Sequence, residues 1–369
     1  MKINYIKTII LFLLLSILLG IPLSNFTEKT SLAYAVRLMQ LLRFGSPIPH
    51  KRDMNGVPLI RYPNLGNKYY YNPVYVGIYG LYYYDKWQKN GENNYFLDLY
   101  LIYNLYPPKY SNNIKWQKDF ISCANWFVEN IQIKIWNNVK YGVYYYNFSW
   151  PKYELNSPWI SGMAQALAMQ VLVRAWMATG NDVYRNTADL ARNAFYVPVD
   201  YGGVTYMLSD DEWWFAEYAA PKAKRPYVLN GMEHALIALF EYASYTNDNN
   251  SKILFLKGLN VLEKKIKNYT APNMLWTLYD LDGTVANLKY HEINVNLTRR
   301  LYALTSNEKL SIYEKWQNFN TPFFIREFIY QIPNEIDMIA LLLNIFAIYS
   351  LFIIYIIYII LVNRSKNDN

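Results

Sequence analysis

Apolar and polar positions divide the chain into three regimes. Near the N-terminus, Thr8–Ser24 carries no charge and follows Lys2 and Lys7. Its length suits a signal-type segment and approaches the roughly 20 residues of a membrane span. A small-x-small pattern occurs only at Ala33-Tyr34-Ala35, well past the apolar run, so an uncleaved anchor is expected and cleavage is left open. At the other end, Met338–Val362 is a run of 25 uncharged residues followed by Arg364 and Lys366. A segment apolar around its whole circumference for that length reads as a transmembrane helix.

The long middle alternates helical and strand-like patterns. Residues 25–68 read as a stalk and lead-in, polar and Pro/Gly-containing from His50 to Lys68. Asn72-Pro73 predicts an N-cap and a first-turn proline for a helix reaching about Trp87. Trp116–Ile131 is the next helical candidate, and the alternation in Tyr141–Trp150 predicts a short hairpin. From Ser161 the apolar residues recur at helical spacing to Met177, interleaved with Ala164, Ala166 and Ala168. Asp182–Phe195 follows the Gly180-Asn181 break. Val228, Met232, Leu236, Leu239 and Ala243 form the strongest amphipathic repeat. Ser251–Lys267, His291–Leu304 and a helix from Asn307 to about Phe319 complete the series. Helices paired across short breaks, with β-like excursions between pairs, predict a mainly α fold. The architecture expected is an incomplete α/α toroid with short β-hairpins, plus terminal transmembrane helices; an irregular helical bundle is the alternative. The implied division is an anchor at 1–24, a stalk at 25–68, a toroid at 69–335 and a terminal helix with a basic tail at 336–369.

Charge turns this pattern into a topology. The 369-residue chain has a net charge of +8, and positive residues flank both apolar ends on their outer sides. The positive-inside rule then puts both termini in the cytoplasm and the middle on the extracellular side. Asn-x-Ser/Thr sequons at Asn25, Asn147, Asn249, Asn268 and Asn296 agree with an external middle. One cysteine and three histidines leave little for a disulfide framework or a His/Cys metal site. No phosphate-binding glycine fingerprint occurs, so neither a nucleotide cofactor nor nucleic acid is expected, and no metal is assigned.

Candidate chemistry lies in aromatic, acidic segments between helices. These are Asp210–Tyr218, including Trp213, Trp214, Glu217 and Tyr218, then Trp276–Leu281 with Tyr279, and Lys289-Tyr290-His291. The 38 tyrosines make rings with polar tips abundant. Rings that stack on sugar faces, combined with carboxylates that move protons, suit a carbohydrate site. The same residues could equally pack helix ends, with the acids facing solvent.

The order of segments resembles the C-terminal catalytic domain of D-glucuronyl C5-epimerases, which convert glucuronate to iduronate within heparan-type chains. The matching stretches are SPWISGMAQALAMQVLVRAW (Ser157–Trp176), YGGV (Tyr201–Val204), EWWFAEYAAP (Glu212–Pro221), YVLNGMEHALIALFEY (Tyr227–Tyr242), LYDL (Leu278–Leu281) and KYHEINVNL (Lys289–Leu297). The likeness is best over 150–320, with a weaker echo at Tyr69–Lys86. It implies an α/α toroid. The β-sandwich of animal members is not expected, because too few residues separate the early helix from the toroid.

Inverting a hexuronate at C5 requires proton removal on one face, delivery on the other, and stabilisation of the enolate that develops at the carboxylate. The resemblance implies Glu217 and Tyr290 as the opposed acid/base pair, with Tyr279 and Tyr218 assisting. Asn230, His291, Trp214 and Arg225 are the expected substrate-binding residues. The expected partner is a uronate-containing polysaccharide or glycan, next to a membrane, and a homodimer is left open. Two departures stand out: Asp282-Gly283 follows Tyr-Asp-Leu where animal enzymes carry Arg-His, and Asn294 replaces the second histidine of Tyr-His-x-x-His. Arg225 is the candidate replacement for the missing cation. A uronate polysaccharide lyase and a non-catalytic glycan-binding surface protein are the alternatives.

Overall fold

A computed structural model describes residues 5–45, 50–62, 65–66, 68–88, 113–272, 274–318 and 321–367. It divides into two compact units, one made of the two chain ends and one of the described residues from His50 to Asn318.

The terminal unit is built on two long helices, α1 (Tyr5–Phe44) and, at the far end of the chain, α10 (Glu335–Asn367). They run antiparallel. Phe12 stacks on Phe352 at 4.8 Å, the Thr27 hydroxyl donates to Asn344 Oδ1 at 2.7 Å, and Arg43 pairs with Glu335. Small residues allow close approach: a Cβ added at Gly20 would lie 3.0 Å from Ile345 Cα. The helix does not stop at Ser24. It continues through the first part of the expected stalk because Leu32 and Ala35 are buried with Phe323, Ala340 and Leu341. Arg326 is buried between Glu28 and Glu327, so its charge is matched from two elements. Both α1 and α10 contain stretches long and apolar enough to cross a membrane.

The larger unit is mainly helical. Its described helices form four consecutive pairs: α2 (Pro73–Gln88) with α3 (Asn113–Asn130), α4 (Gly162–Thr179) with α5 (Asp182–Asn193), α6 (Leu229–Thr246) with α7 (Asn249–Lys265), and α8 (Leu288–Thr305) with α9 (Ile312–Asn318). The first members pack in a row in chain order, α2 on α4, α4 on α6, α6 on α8, and each second member lies against its own first. Sequence explains which helix is central. Every residue of α4 from Gly162 to Ala175 is buried, as α6 is from Leu229 to Leu239, whereas α5 and α7 keep an exposed polar side. A helix buried on all faces needs neighbours on all faces, and its polar members (Gln165, Gln170 and Arg174 in α4; Asn230, Glu233 and His234 in α6) are buried with the rest.

Side-chain caps set the helix starts, at Asn72 as the sequence predicts. Asn72 Oδ1 accepts from the Val74 and Tyr75 amides, Ser161 caps α4 and Asn181 caps α5. Asn307 caps a short 3₁₀ turn that leads into α9; residue 319, where that helix was expected to end, lies outside the described residues.

Three two-stranded antiparallel hairpins occur among the described residues: β1 (His50–Arg52) with β2 (Pro58–Ile60), β3 (Gln132–Trp136) with β4 (Val139–Val143), and β5 (Thr205–Ser209) with β6 (Glu212–Phe215). The hairpin expected within Tyr141–Trp150 turns earlier, at Asn137-Asn138, where both residues have positive φ (45° and 63°). Asparagine tolerates that region, and such turns match strand twist. The alternation of Tyr144–Trp150 instead belongs to an extended segment that bridges across to Trp159.

Candidate active site

The candidate residues converge where the N-termini of α4, α6 and α8 meet the loops between pairs. After β6, the chain passes over the start of α4: the Gly162 amide donates to Ala216 O at 2.7 Å, and Ile160 bridges Ala219. This fixes Glu217 and Tyr218. The Leu229 amide, at the start of α6, donates to Tyr279 O at 3.1 Å, which ties the Tyr279 loop to the same end. Asn287 Oδ1 accepts from the Tyr290 amide at 3.1 Å and so sets the first turn of α8.

Glu217 is the centre of a hydrogen-bonded cluster. Tyr279 donates its hydroxyl to Oε1 at 3.2 Å, and Asn230 Nδ2 donates to Oε2 at 3.2 Å. The Tyr218 and Tyr279 hydroxyls lie 3.0 Å apart. Tyr290, half-buried, sets its ring edge-on to Tyr279 with centroids 4.7 Å apart. Gly231 makes room for the carboxylate, because a Cβ there would fall 2.4 Å from Glu217 Cβ and 2.7 Å from Oε2.

Burial dominates the electrostatics. It raises Glu217 from 4.5 to about 7, against the opposing pull of the Tyr218 and Tyr279 hydroxyls, the Lys152 charge and Asn230. Burial, reinforced by the Glu217 charge, also pushes Tyr218, Tyr279 and Tyr290 upwards, so these phenols keep their protons at neutral pH. The cluster therefore combines one carboxyl poised between its two states with phenols that donate.

Lys152 is a residue that motif reading missed. It lies in a 3₁₀ turn (Pro151–Tyr153) closed by Glu154 at positive φ. Its Nζ stands 5.1 Å from the Tyr279 ring centre, 4.8 Å from that of Tyr153 and 4.0 Å from Asp280 Oδ2. Asp280 is itself fixed by Tyr153, Thr284 and Lys152. A half-exposed ammonium beside the tyrosines is a cation that no local pattern announced.

The other expected residues fall elsewhere. His291 is buried flat on Trp276, 3.6 Å between ring centres, and its Nδ1 accepts from the Thr277 amide. Asn294, standing where the family has a second histidine, donates to Thr277 Oγ1 and Leu278 O. Both residues brace the Tyr279 loop from behind. Trp214 has no exposed surface and lies against Tyr227 and Tyr269. Arg225 is exposed, paired with Asp200 at 3.3 Å and set over the Tyr206 ring. Neither joins the cluster around Glu217. Of the cations of α8, Arg300 is engaged by Glu241 and Arg299 by Asn296. Lys289 lies over the Tyr290 ring and is lowered to about 8 by burial.

Comparison with known proteins adds a family. Residues 137–318 match the family described as D-glucuronyl C5-epimerase C-terminus. An uncharacterised protein of Methanocaldococcus jannaschii is 33% identical over 184 residues, covering 49% of this chain and 58% of that one. A D-glucuronyl C5-epimerase of Caenorhabditis elegans is 28% identical over 172 residues, covering 42% of this chain and 27% of that one. The chain thus spans less than two thirds of the length of either relative. Among solved structures, an unsaturated glucuronyl hydrolase from Streptococcus agalactiae aligns over 88% of this chain and 92% of its own, with 13% identity and a TM-score of 0.42.

Proposed function

Because residues 137–318 belong to the D-glucuronyl C5-epimerase C-terminal family, we propose that the chain inverts C5 of a hexuronate residue within a polysaccharide or lipid-linked glycan. One observation carries this reading: a buried carboxyl raised to about 7 is hydrogen-bonded to phenols that stay protonated. Proton abstraction next to a carboxylate needs a base of roughly that strength and an opposed donor.

In this mechanism Glu217 takes the C5 proton, and the electron pair of the C–H bond delocalises into the substrate carboxylate as an enolate. Lys152 stabilises the charge that accumulates there. Tyr290 delivers its hydroxyl proton to the opposite face of C5, which gives the epimer, a neutral Glu217 and a Tyr290 phenolate. Tyr279 and Tyr218 bond Glu217 in either protonation state, and transfer of the proton from Glu217 back to Tyr290 closes the cycle. The same first step followed by loss of the C4 substituent would make a lyase.

The row of four helix pairs supports the incomplete α/α toroid that the family implies. The two apolar helices and the basic residues outside them support a membrane-anchored protein with both termini cytoplasmic and the larger unit extracellular.

The test is incubation of the full chain with uronate polysaccharides in deuterated water, followed by NMR at C5. Deuterium incorporation with inversion and no cleavage is expected, and both Glu217→Gln and Tyr290→Phe should abolish it while leaving the fold intact. A new double bond would replace the epimerase with a lyase. Glycan binding without any exchange would leave a non-catalytic surface protein.

A further inference from the structure

The extended segment Tyr144–Trp150 has two faces that meet different surroundings. Tyr146 and Phe148 are buried in the aromatic cluster that contains Tyr218, Tyr279 and Tyr290, with Tyr146 stacked on Trp159 at 3.9 Å. The alternate residues, Tyr145 and Asn147, line a separate cleft of about 390 Å³. One extended segment is therefore the shared wall of the candidate active site and a neighbouring cleft. Tyr70 also lines the cleft and packs edge-on against Phe148 at 5.1 Å, a second contact between the two places.

The remaining lining has one chemistry. Tyr69 and Tyr71 are each about two-fifths exposed (39% and 40%). Trp126 packs on Tyr71 at 5.6 Å, and Asp53 fixes Tyr71 by accepting its hydroxyl at 2.8 Å. The exposed amides of Gln132 and Asn147 supply donors and acceptors. No charged side chain is among the described residues lining the cleft; Arg61 and Lys134 stand over the Tyr69 and Tyr145 rings without lining it. Exposed rings beside neutral amides suit the C–H face and hydroxyls of an uncharged sugar, whereas a sulfated or uronic unit would ask for a cation.

We propose that this cleft is a subsite for an uncharged pyranose unit of the same glycan whose uronate is held at Glu217. It rests on the epimerase reading only for the source of the sugar, since the cleft's own chemistry does not involve Glu217. Asn147 begins the sequon Asn147-Phe148-Ser149, so a covalent glycan on that residue is a second source of the same chemistry.

The full chain in detergent, titrated with cellotetraose and with a β-linked N-acetylglucosamine tetrasaccharide, tests the proposal through tryptophan fluorescence and saturation-transfer NMR. At least one tetrasaccharide should bind, and Tyr71→Ala and Gln132→Ala should each weaken it at least fivefold. Both positions are exposed, and unchanged thermal midpoints would verify that the fold is kept. Glu217→Gln should bind the tetrasaccharide as the unsubstituted chain does. Failure of both probes to bind, or equal binding by the Tyr71→Ala/Gln132→Ala double variant, would overturn the subsite. Mass spectrometry of the Asn147 peptide from the native host should show the unmodified mass; a glycan there would overturn the substrate as the source. If no uronate exchanges deuterium yet the tetrasaccharide binding survives, the epimerase reading falls and the cleft stands.

Discussion

Glu217 illustrates how burying a carboxyl costs stability. Its pKa is 4.5 in an ordinary environment and about 7 when folded. Between those values the native state retains a proton that the unfolded chain has released. Its contribution to stability is therefore fully present below about 4.5 and is lost as the pH rises through 7. A shift of that size corresponds to about 3 kcal/mol. Glu217→Gln removes the titration while Oε1 still accepts from Tyr279. Asn230 Oδ1 has no partner among the described residues, so a flipped Asn230 amide would accept from the new Nε2. Thermal melts should place the variant above the unsubstituted chain at about pH 8, with the gap closing near about pH 4. A gap that persisted at the acid end would mean the gain has nothing to do with the proton. Gly231 makes the complementary case. Alanine there improves helix propensity by about 1 kcal/mol but drives a Cβ into Glu217. Misplacing a base by about 1 Å costs on the order of 100-fold in rate. Gly231→Ala should thus lower kcat for C5 exchange by about that factor with little change in melting temperature, and a rate equal to that of the unsubstituted chain would show that Glu217 is not held there by contact.

At the scale of elements, what could be read from the sequence depended on how local the cause was. The apolar repeats of α4 and α6, the Asn72 cap and the pairing of helices across short breaks are local, and the sequence displays them. The Asn137-Asn138 turn was hidden because the strongest alternation lies beyond it, in a segment whose partner is Trp159 rather than its own neighbour. The site is less local still. Glu217, Asn230, Tyr279 and Tyr290 come from four separate segments, and only the family's order of motifs linked them in advance. Aromatic richness could not tell Trp214, which is wholly buried, from rings that face a cleft, and nothing near Lys152 announced its place beside Tyr279. An element-level cap connects these observations. Asn287 holds the first turn of α8 by accepting from the Tyr290 amide. Removing such a cap costs about 1 kcal/mol. The turn that frays carries Tyr290, while Ile293, Asn294 and Leu297 keep the rest of α8 packed. Asn287→Ala should slow exchange about fivefold if that free energy is lost from the positioning of Tyr290, and Asn287→Ser should restore it. Slow exchange in both variants would instead assign Asn287 a role other than capping.

For the whole molecule, the two chain ends form one structural unit, and this constrains the membrane topology proposed above. α1 is 40 residues long, about 60 Å at 1.5 Å per residue, roughly twice a hydrocarbon core. Between Lys7 and Glu28 it is free of charge; from Glu28 onwards it carries ionisable residues, one of them buried against Arg326. On the proposed topology the stretch in the hydrocarbon is Thr8–Ser24, packed antiparallel against the apolar part of α10 through Phe12–Phe352 and the Gly20–Ile345 approach. If both helices span a membrane, their antiparallel packing places both termini on one face, as the positions of Lys2, Lys7, Arg364 and Lys366 outside the apolar runs propose. The native Cys123 is buried, so single engineered cysteines report cleanly to a membrane-impermeant thiol reagent. On the proposed topology, Asn4→Cys and Ser365→Cys should label only after permeabilisation, and Asn147→Cys should label in intact cells. Opposite behaviour of the two termini would break the hairpin arrangement, whereas joint labelling of all three in intact cells would keep the hairpin and overturn the cytoplasmic assignment of the ends.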